Sequence, residues 1–177
     1  MQRCSTGRLL LYLLISGLIT LQGCSAKEQS MQGMKVGLHI DAVLEFVTEY
    51  PLDWSKDRRV VYGTNDGEVR WTYPDDAKIM LRVLSYERPA EISSPAQRLT
   101  RELPDYPGQN ILVSEKELLP AGEAVHLTAQ TPKADVEAYQ LTTTSRNYTI
   151  ALIVPRETLA EYKVMMSEII QSFNFVE

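Results

Sequence analysis

Short runs of β-forming residues, separated by turn residues, dominate the chain after residue 35. Alternating polar and apolar positions predict strands over 68–73 and 78–86, and the second carries apolar residues on both faces, so it is expected to be covered on both sides. Further strands are predicted over 43–50, 59–63, 110–119, 123–131, 136–144 and 148–154, with turns at 65–67 and 120–122. The closely spaced strands after residue 110 favour consecutive antiparallel hairpins.

Two helices interrupt this pattern. Ser94 and Pro95 are typical of a helix start, and that helix is predicted to end near Leu103. Over 156–172 the apolar residues recur every three or four positions, which predicts an amphipathic helix. Its apolar stripe consists of Leu159, Tyr162, Met165, Met166, Ile169, Ile170 and Phe173. Strands, a middle helix, more strands and a final helix indicate an α+β fold with an antiparallel β-sheet and the C-terminal helix packed on it.

The amino terminus has the pattern of an export signal. Arg3 and Arg8 precede an apolar stretch over 9–21, and Gly23 stands directly before Cys24. The stretch is shorter than the roughly 20 residues that a membrane-spanning helix needs. A small residue followed by cysteine is typical of a bacterial lipoprotein signal, which is cleaved before a lipidated thiol. We therefore predict a signal peptide over 1–23 and fatty acylation of Cys24.

This signal sets the expected organisation of the mature protein. Acyl chains on Cys24 would hold it stably at a membrane of the cell envelope. Ser25, rather than aspartate, after the cysteine favours the periplasmic face of the outer membrane in a Gram-negative cell. The polar segment 24–35 is predicted to be a flexible tether, and 36–177 to be one domain.

Composition limits the partners. The chain of 177 residues has 18 Lys and Arg against 23 Asp and Glu, a net charge of −5. Loss of the signal peptide removes Arg3 and Arg8 and makes the mature protein more acidic still. This acidic balance argues against nucleic acid and provides no polybasic patch for anionic lipid. The chain has two cysteines, Cys4 and Cys24, one in the signal peptide and one at the lipidation site. The mature domain is therefore expected to have no disulfide, and we predict no metal and no cofactor.

Two stretches resemble a known family. One is Phe46-Val47-Thr48-Glu49-Tyr50-Pro51-Leu52-Asp53-Trp54, and the other is 148–152 followed by the last helix and Ser172-Phe173. Together they are similar to the opening and closing segments of PsbP-like (Mog/PsbP) domains, over most of 40–176. The resemblance implies an antiparallel sheet sandwiched by helices, and domains that act by binding partners rather than by catalysis. It carries over no site residue.

The two histidines, His39 and His126, stand in no catalytic or metal-binding motif. We predict that both are partly exposed strand residues and that the protein is not an enzyme. Two acidic residues, Asp53 and Asp57, flank Trp54, and a further acidic pair stands at 75–76. All four are expected to lie in solvated loops, with the binding of a surface cation as the alternative.

The aromatic residues are the candidate binding residues. Trp54, beside the Tyr-Pro turn, is predicted to fill the core. Trp71, Tyr73 and Tyr86 are predicted to bind a partner or a ligand, because aromatic side chains are enriched at binding hot spots. Two functions remain open at this point: a membrane-anchored accessory module that binds an envelope protein, and a carrier or sensor holding a small ligand or cation between the sheet and the terminal helix.

Overall fold

A computed structural model describes residues 29–87 and 94–176 of the chain. The elements in chain order are β1 (Val36–Asp41), β2 (Phe46–Pro51), β3 (Ser55–Val60), β4 (Gly67–Thr72), β5 (Met80–Glu87), α1 (Pro95–Glu102), β6 (Asn110–Leu119), β7 (Gly122–Gln130), β8 (Ala134–Thr142), β9 (Arg146–Pro155), α2 (Leu159–Ser172) and β10 (Asn174–Phe175). The predicted signal peptide and Cys24 lie outside the described residues.

The strands form two antiparallel sheets. In the larger sheet seven strands lie in the order β3-β4-β5-β9-β8-β7-β6, and in the smaller sheet β2 lies between β1 and β10. Every described strand pairing is antiparallel. The predicted α+β class is therefore confirmed.

Two hydrophobic cores lie on opposite faces of the seven-stranded sheet. One is formed by α2, the three-stranded sheet and the face of β5 that carries Leu81 and Val83. The other includes Leu84 of β5, together with Leu99 of α1 and Leu103 just after it. Both faces of β5 are thus covered, as the sequence predicts, and the large sheet lies between helices.

Helix α2 follows the predicted apolar stripe. Its buried side chains are Leu159, Tyr162, Met165, Met166, Ile169 and Ile170. The helix begins three residues later than predicted because Glu157 has a φ of 71°, which is incompatible with a right-handed helix. After the helix, the ring of Phe173 stacks on Phe46 of β2 with centroids 5.8 Å apart, which fastens α2 to the smaller sheet.

Helix α1 begins where its capping residues predict. The Ser94 hydroxyl accepts a hydrogen bond from the backbone N–H of Gln97, and the Gln97 side chain accepts one from the N–H of Ser94. This reciprocal pair is a capping box, and Pro95 occupies the first helical position. Local chemistry alone therefore fixes the start of this helix.

The first strands differ from the prediction. The strand expected over 43–50 begins only at Phe46, because the Asp41 side chain accepts hydrogen bonds from the N–H groups of Val43 and Leu44 and forms a turn. The strand expected over 59–63 lies at 55–60 instead. No bounds were predicted for β1, although His39, which lies on it, was expected to be a strand residue.

Part of the predicted flexible tether is packed on the domain. Met31 is buried in the α2 core, and its N–H donates to a Glu168 carboxylate oxygen at 2.6 Å. The Ser30 hydroxyl donates to the same carboxylate at 2.8 Å. Since Glu168 lies on α2, residues 29–31 are held against that helix, and the chain enters the domain beside it.

Candidate functional site

The three predicted aromatic binding residues do not form one surface. Trp71 and Tyr73 face the α2 core, whereas Tyr86 packs against the core on the α1 side. Trp71 is fully buried, and its ring lies 5.3 Å from that of His39 and 5.2 Å from that of Tyr50. Trp71 is therefore a core residue that presents no surface to a partner.

The other aromatic residues of this group have different environments. Trp54 is buried, which confirms its predicted place in the core, and half-buried Tyr73 lies edge-on to it with ring centroids 5.6 Å apart. Tyr86, in contrast, lines a cavity of about 330 Å³ at the carboxyl end of α1. Among the described residues, Glu87, Arg101, Glu102 and Asn147 also line this cavity. A ligand pocket was expected between the sheet and the terminal helix α2, but side chains of the α2 core fill that space. The cavity beside Tyr86 lies on the opposite face of the sheet, next to α1.

The cavity wall is held by a buried arginine that the sequence did not single out. Nε of Arg98 donates to Glu102 at 2.9 Å, and its Nη2 donates to the Tyr148 carbonyl at 2.5 Å and the Thr149 hydroxyl at 3.2 Å. Thr149 in turn donates to the second carboxylate oxygen of Glu102. The network ties α1 to β9. In sequence it shows only as an arginine and a glutamate four residues apart, a spacing equally typical of an exposed helix face.

The groups facing the cavity can bind a small polar molecule. Burial, together with the negative charges of Glu102 and Glu68, raises the pKa of Tyr86 to about 12. Its hydroxyl therefore stays protonated at neutral pH and is a hydrogen-bond donor. Glu87 and Glu102 provide acceptors, and the guanidinium of Arg101 provides a cation.

His126, on β7, lies among carboxylates of the two neighbouring strands, β6 and β8. Its Nε2 is 3.1 Å from Glu137, and its Nδ1 is 3.5 Å from Glu115 and 4.0 Å from Glu117. The ring stacks on Tyr139 with centroids 4.5 Å apart. The hydrogen bond to Glu137 and the nearby negative charges raise the pKa of His126 above its ordinary value, although burial opposes them. His126 is partly exposed on a strand, as predicted.

Protonation of His126 is expected to stabilise the fold. Because its pKa is higher in the folded state, the contribution is fully present below its ordinary pKa of 6.5 and is lost as the pH rises through the folded-state pKa. His126→Gln should therefore lower the free energy of unfolding more at about pH 5 than at about pH 9. Urea unfolding of both proteins at both pH values measures this difference. An equal loss at both pH values would contradict the expectation.

His39 is on a strand, as predicted, but buried rather than partly exposed. Burial and the charge of Lys56 lower its pKa. The neighbouring Asp41 is also buried, and burial alone would raise its pKa. The hydrogen bond from Arg58, at 2.5 Å, and the backbone N–H of Leu44 instead lower the pKa of Asp41 to about 2. This cluster joins β1 to β3 and is structural.

The described acidic residues provide no evident cation site. Asp57, one of the predicted loop acids, lies on β3 and accepts from Arg70 at 3.0 Å and Arg59 at 3.2 Å. Within residues 29–87 and 94–176, no group of three or more His, Cys, Asp or Glu could hold a metal ion. None of the helices described is long and apolar enough to cross a membrane.

The two edges of the seven-stranded sheet differ in character. Strand β3, at one edge, reads Ser-Lys-Asp-Arg-Arg-Val, and these charges oppose pairing with another chain. Strand β6, at the other edge, is ten residues long and largely exposed. Its exposed apolar residues are Leu112, Val113 and Leu118, the last with 83% of its surface accessible. The β6 edge is therefore the better template for an added strand.

Comparisons with known proteins identify the fold. No protein-family model and no curated protein matches this sequence. The solution structure of cyanobacterial PsbP (CyanoP) from Synechocystis sp. PCC 6803 is similar at a TM-score of 0.62 and 12% identity, over 79% of this chain and 92% of that one. A crystal structure from Bacteroides thetaiotaomicron VPI-5482 aligns at a TM-score of 0.47 and 13% identity, over 81% of this chain and 49% of that one. The similarity to CyanoP shows that this chain has a PsbP-like fold.

Proposed function

We propose that this protein is a lipoprotein of the bacterial cell envelope that binds a protein partner and is not an enzyme. Cys24, placed after two arginines, an apolar stretch and Gly23, supports acylation and membrane attachment. Attachment would confine the domain to the membrane surface, which raises its effective concentration near membrane or wall complexes. The outer membrane, on its periplasmic face, is the proposed location in a Gram-negative cell because Ser25 follows the cysteine.

The β6 edge carries the partner-binding part of this proposal. Among the described residues no strand pairs with the outer side of β6, so its backbone groups on that side are available to an extended segment of another protein. Leu112 and Leu118 lie near the two ends of this edge and offer apolar contacts, and Glu115 and Lys116 lie between them. A partner strand with an apolar residue near each end and a mixed-charge centre fits this pattern.

The position of β6 in the sheet supports the same arrangement. Six inter-strand spacings separate it from β3, a distance on the order of 30 Å. At the β3 end, Arg58 donates to Asp41 of the three-stranded sheet, which ties the two sheets together there. At the opposite end, no strand within residues 29–87 and 94–176 lies beyond β6.

Photo-crosslinking in living cells tests the proposal. A photoreactive residue at Leu118 should crosslink one specific protein in the membrane fraction. The matched control places the photoreactive residue at position 62 instead, where Tyr62 is fully exposed in the turn after β3. This control should give no such product. Leu112→Asp, combined with the crosslinker at 118, should weaken the product several-fold, since it places a charge on the apolar edge. Equal crosslinked products from positions 62 and 118 would contradict the proposed binding edge. Absence of this lipoprotein from the membrane fraction would contradict the proposed membrane attachment.

A second candidate function, the binding of a small ligand, is favoured by the cavity beside Tyr86. Its volume of about 330 Å³ is at the lower end of typical ligand sites, and donors and acceptors face it together. Failure to crosslink at Leu118, combined with a small molecule whose stabilising effect on melting is lost in Tyr86→Phe, would favour this function instead.

A further inference from the structure

Strand β1 has its apolar and polar faces reversed. Val36, Leu38 and Ile40 alternate along it and are exposed, Leu38 and Ile40 with 62% and 61% of their surfaces accessible. The two polar residues between and after them, His39 and Asp41, are buried. A strand at a surface ordinarily has the opposite pattern. Exposed apolar residues at every second position therefore indicate something outside the domain that covers them.

The neighbouring strand continues this apolar face. Ile40 pairs with Val47 of β2, which is half-buried, and Leu38 pairs with Glu49. We call the face formed by Val36, Leu38, Ile40 and Val47 the β1 face. Glu49 lies within it as an exposed carboxylate, so whatever covers the face must allow one charge to reach water.

The chain enters the domain beside the β1 face. Met31 and Val36 line the same depression of about 370 Å³, together with Glu49 and Glu168. Cys24 stands five residues before Gln29, the first described residue, and a fully extended chain covers at most about 3.6 Å per residue. An acylated Cys24 is therefore within about 18 Å of the point where the chain joins α2.

We propose that the β1 face lies on the membrane that holds the acyl chains of Cys24. This inference about the β1 face rests on the proposed lipid anchor at Cys24. A short connection restricts the orientations that an anchored domain adopts, and the chain runs from α2 past the depression lined by Met31 and Val36 directly into β1. Apolar side chains at the headgroup boundary add to the affinity of the acyl chains, while Glu49 and Lys35, which is also exposed, stay among the hydrated headgroups.

Fluorescence quenching by lipids tests this orientation. The full chain is expressed with its signal, purified in its processed form and placed in phosphatidylethanolamine–phosphatidylglycerol vesicles that carry nitroxide-labelled acyl chains. The mature protein has no cysteine besides Cys24, so Leu38→Cys allows a single environment-sensitive label. The label at position 38 should lose about half or more of its emission to the nitroxide lipids. The same label in Leu118→Cys, on the β6 edge, should be nearly unaffected.

Flotation of the vesicles separates the two proposals. Protein that floats with the vesicles, but with equal and weak quenching at 38 and 118, overturns the membrane-facing β1 face and leaves the anchor intact. Protein that does not float, or whose mass shows an unmodified Cys24, overturns the lipid anchor and this inference with it. A blue-shifted label at 38 without quenching means that protein covers the face, a second copy of this chain included, and also overturns the inference. Both replaced side chains are exposed, so neither variant should impair folding.

Discussion

Replacement of Arg98 by methionine should lower the free energy of unfolding by about 3–5 kcal/mol, because it leaves the buried carboxylate of Glu102 without its cation. The guanidinium is the centre of the network on α1 and also donates to the Tyr148 carbonyl and to Thr149 of β9. Methionine fills much of the same space but donates no hydrogen bond. Urea unfolding, followed by the fluorescence of the two buried tryptophans, measures the loss.

Two comparisons make this result specific to the network. Arg101→Met changes the same residue type one position from Glu102, but at an exposed site, and should alter stability by less than about 0.5 kcal/mol. The double variant Arg98→Met, Glu102→Leu removes the stranded carboxylate and should recover part of the loss, since replacing both partners costs less than removing one. A loss of under about 1 kcal/mol in Arg98→Met alone would show that water replaces the guanidinium.

The parts of the fold that the sequence predicted are those set by local chemistry. The stripe of α2 follows from a repeat of three and four residues, and the start of α1 follows from the adjacent Ser94 and Pro95. Strand β6 has the predicted bounds because Pro120 and Gly122 end it locally. No partner from elsewhere in the chain is needed to specify these elements.

The parts that the sequence did not predict depend on distant residues. The burial of Asp41, whose side chain forms the turn after β1, depends on its ion pair with Arg58, which lies 17 positions away. The polar interior face of β1 therefore has no local signal. The environment of Arg98 depends on β9, about 50 positions later, so an i,i+4 pair with Glu102 gives no indication that it is buried.

The candidate site shows the same limit. Trp71 and Tyr73 share a strand face with Val69, and the alternation correctly grouped them. Whether that face points inward depends on which side α2 and the three-stranded sheet cover, which alternation does not specify. Tyr86 lies on the face of β5 opposite to Leu81 and Val83, and the cavity beside it is formed where α1 ends.

Replacement of Trp71 by alanine should lower the free energy of unfolding by about 3–5 kcal/mol, the usual cost of truncating a large core side chain. The ring is fully buried and packs against His39 and Tyr50, so its removal leaves a cavity between the two sheets. If Trp71 served instead as a binding residue, its loss would reduce partner crosslinking at Leu118 with little change in stability. Urea unfolding, followed by circular dichroism, and crosslinking of the same variant decide between these outcomes.

The titration of His39 provides a second readout of the same cavity. Burial is the main reason why the pKa of His39 is lowered, and Trp71 forms part of the wall that buries it. In Trp71→Ala, water reaching the imidazole should move the pKa of His39 back towards its ordinary value of 6.5, as followed by NMR. The matched control Tyr62→Ala removes an exposed aromatic ring and should change neither stability nor this titration. An unchanged His39 pKa together with a small loss of stability would contradict both expectations, because it would show that the surrounding side chains collapse into the space.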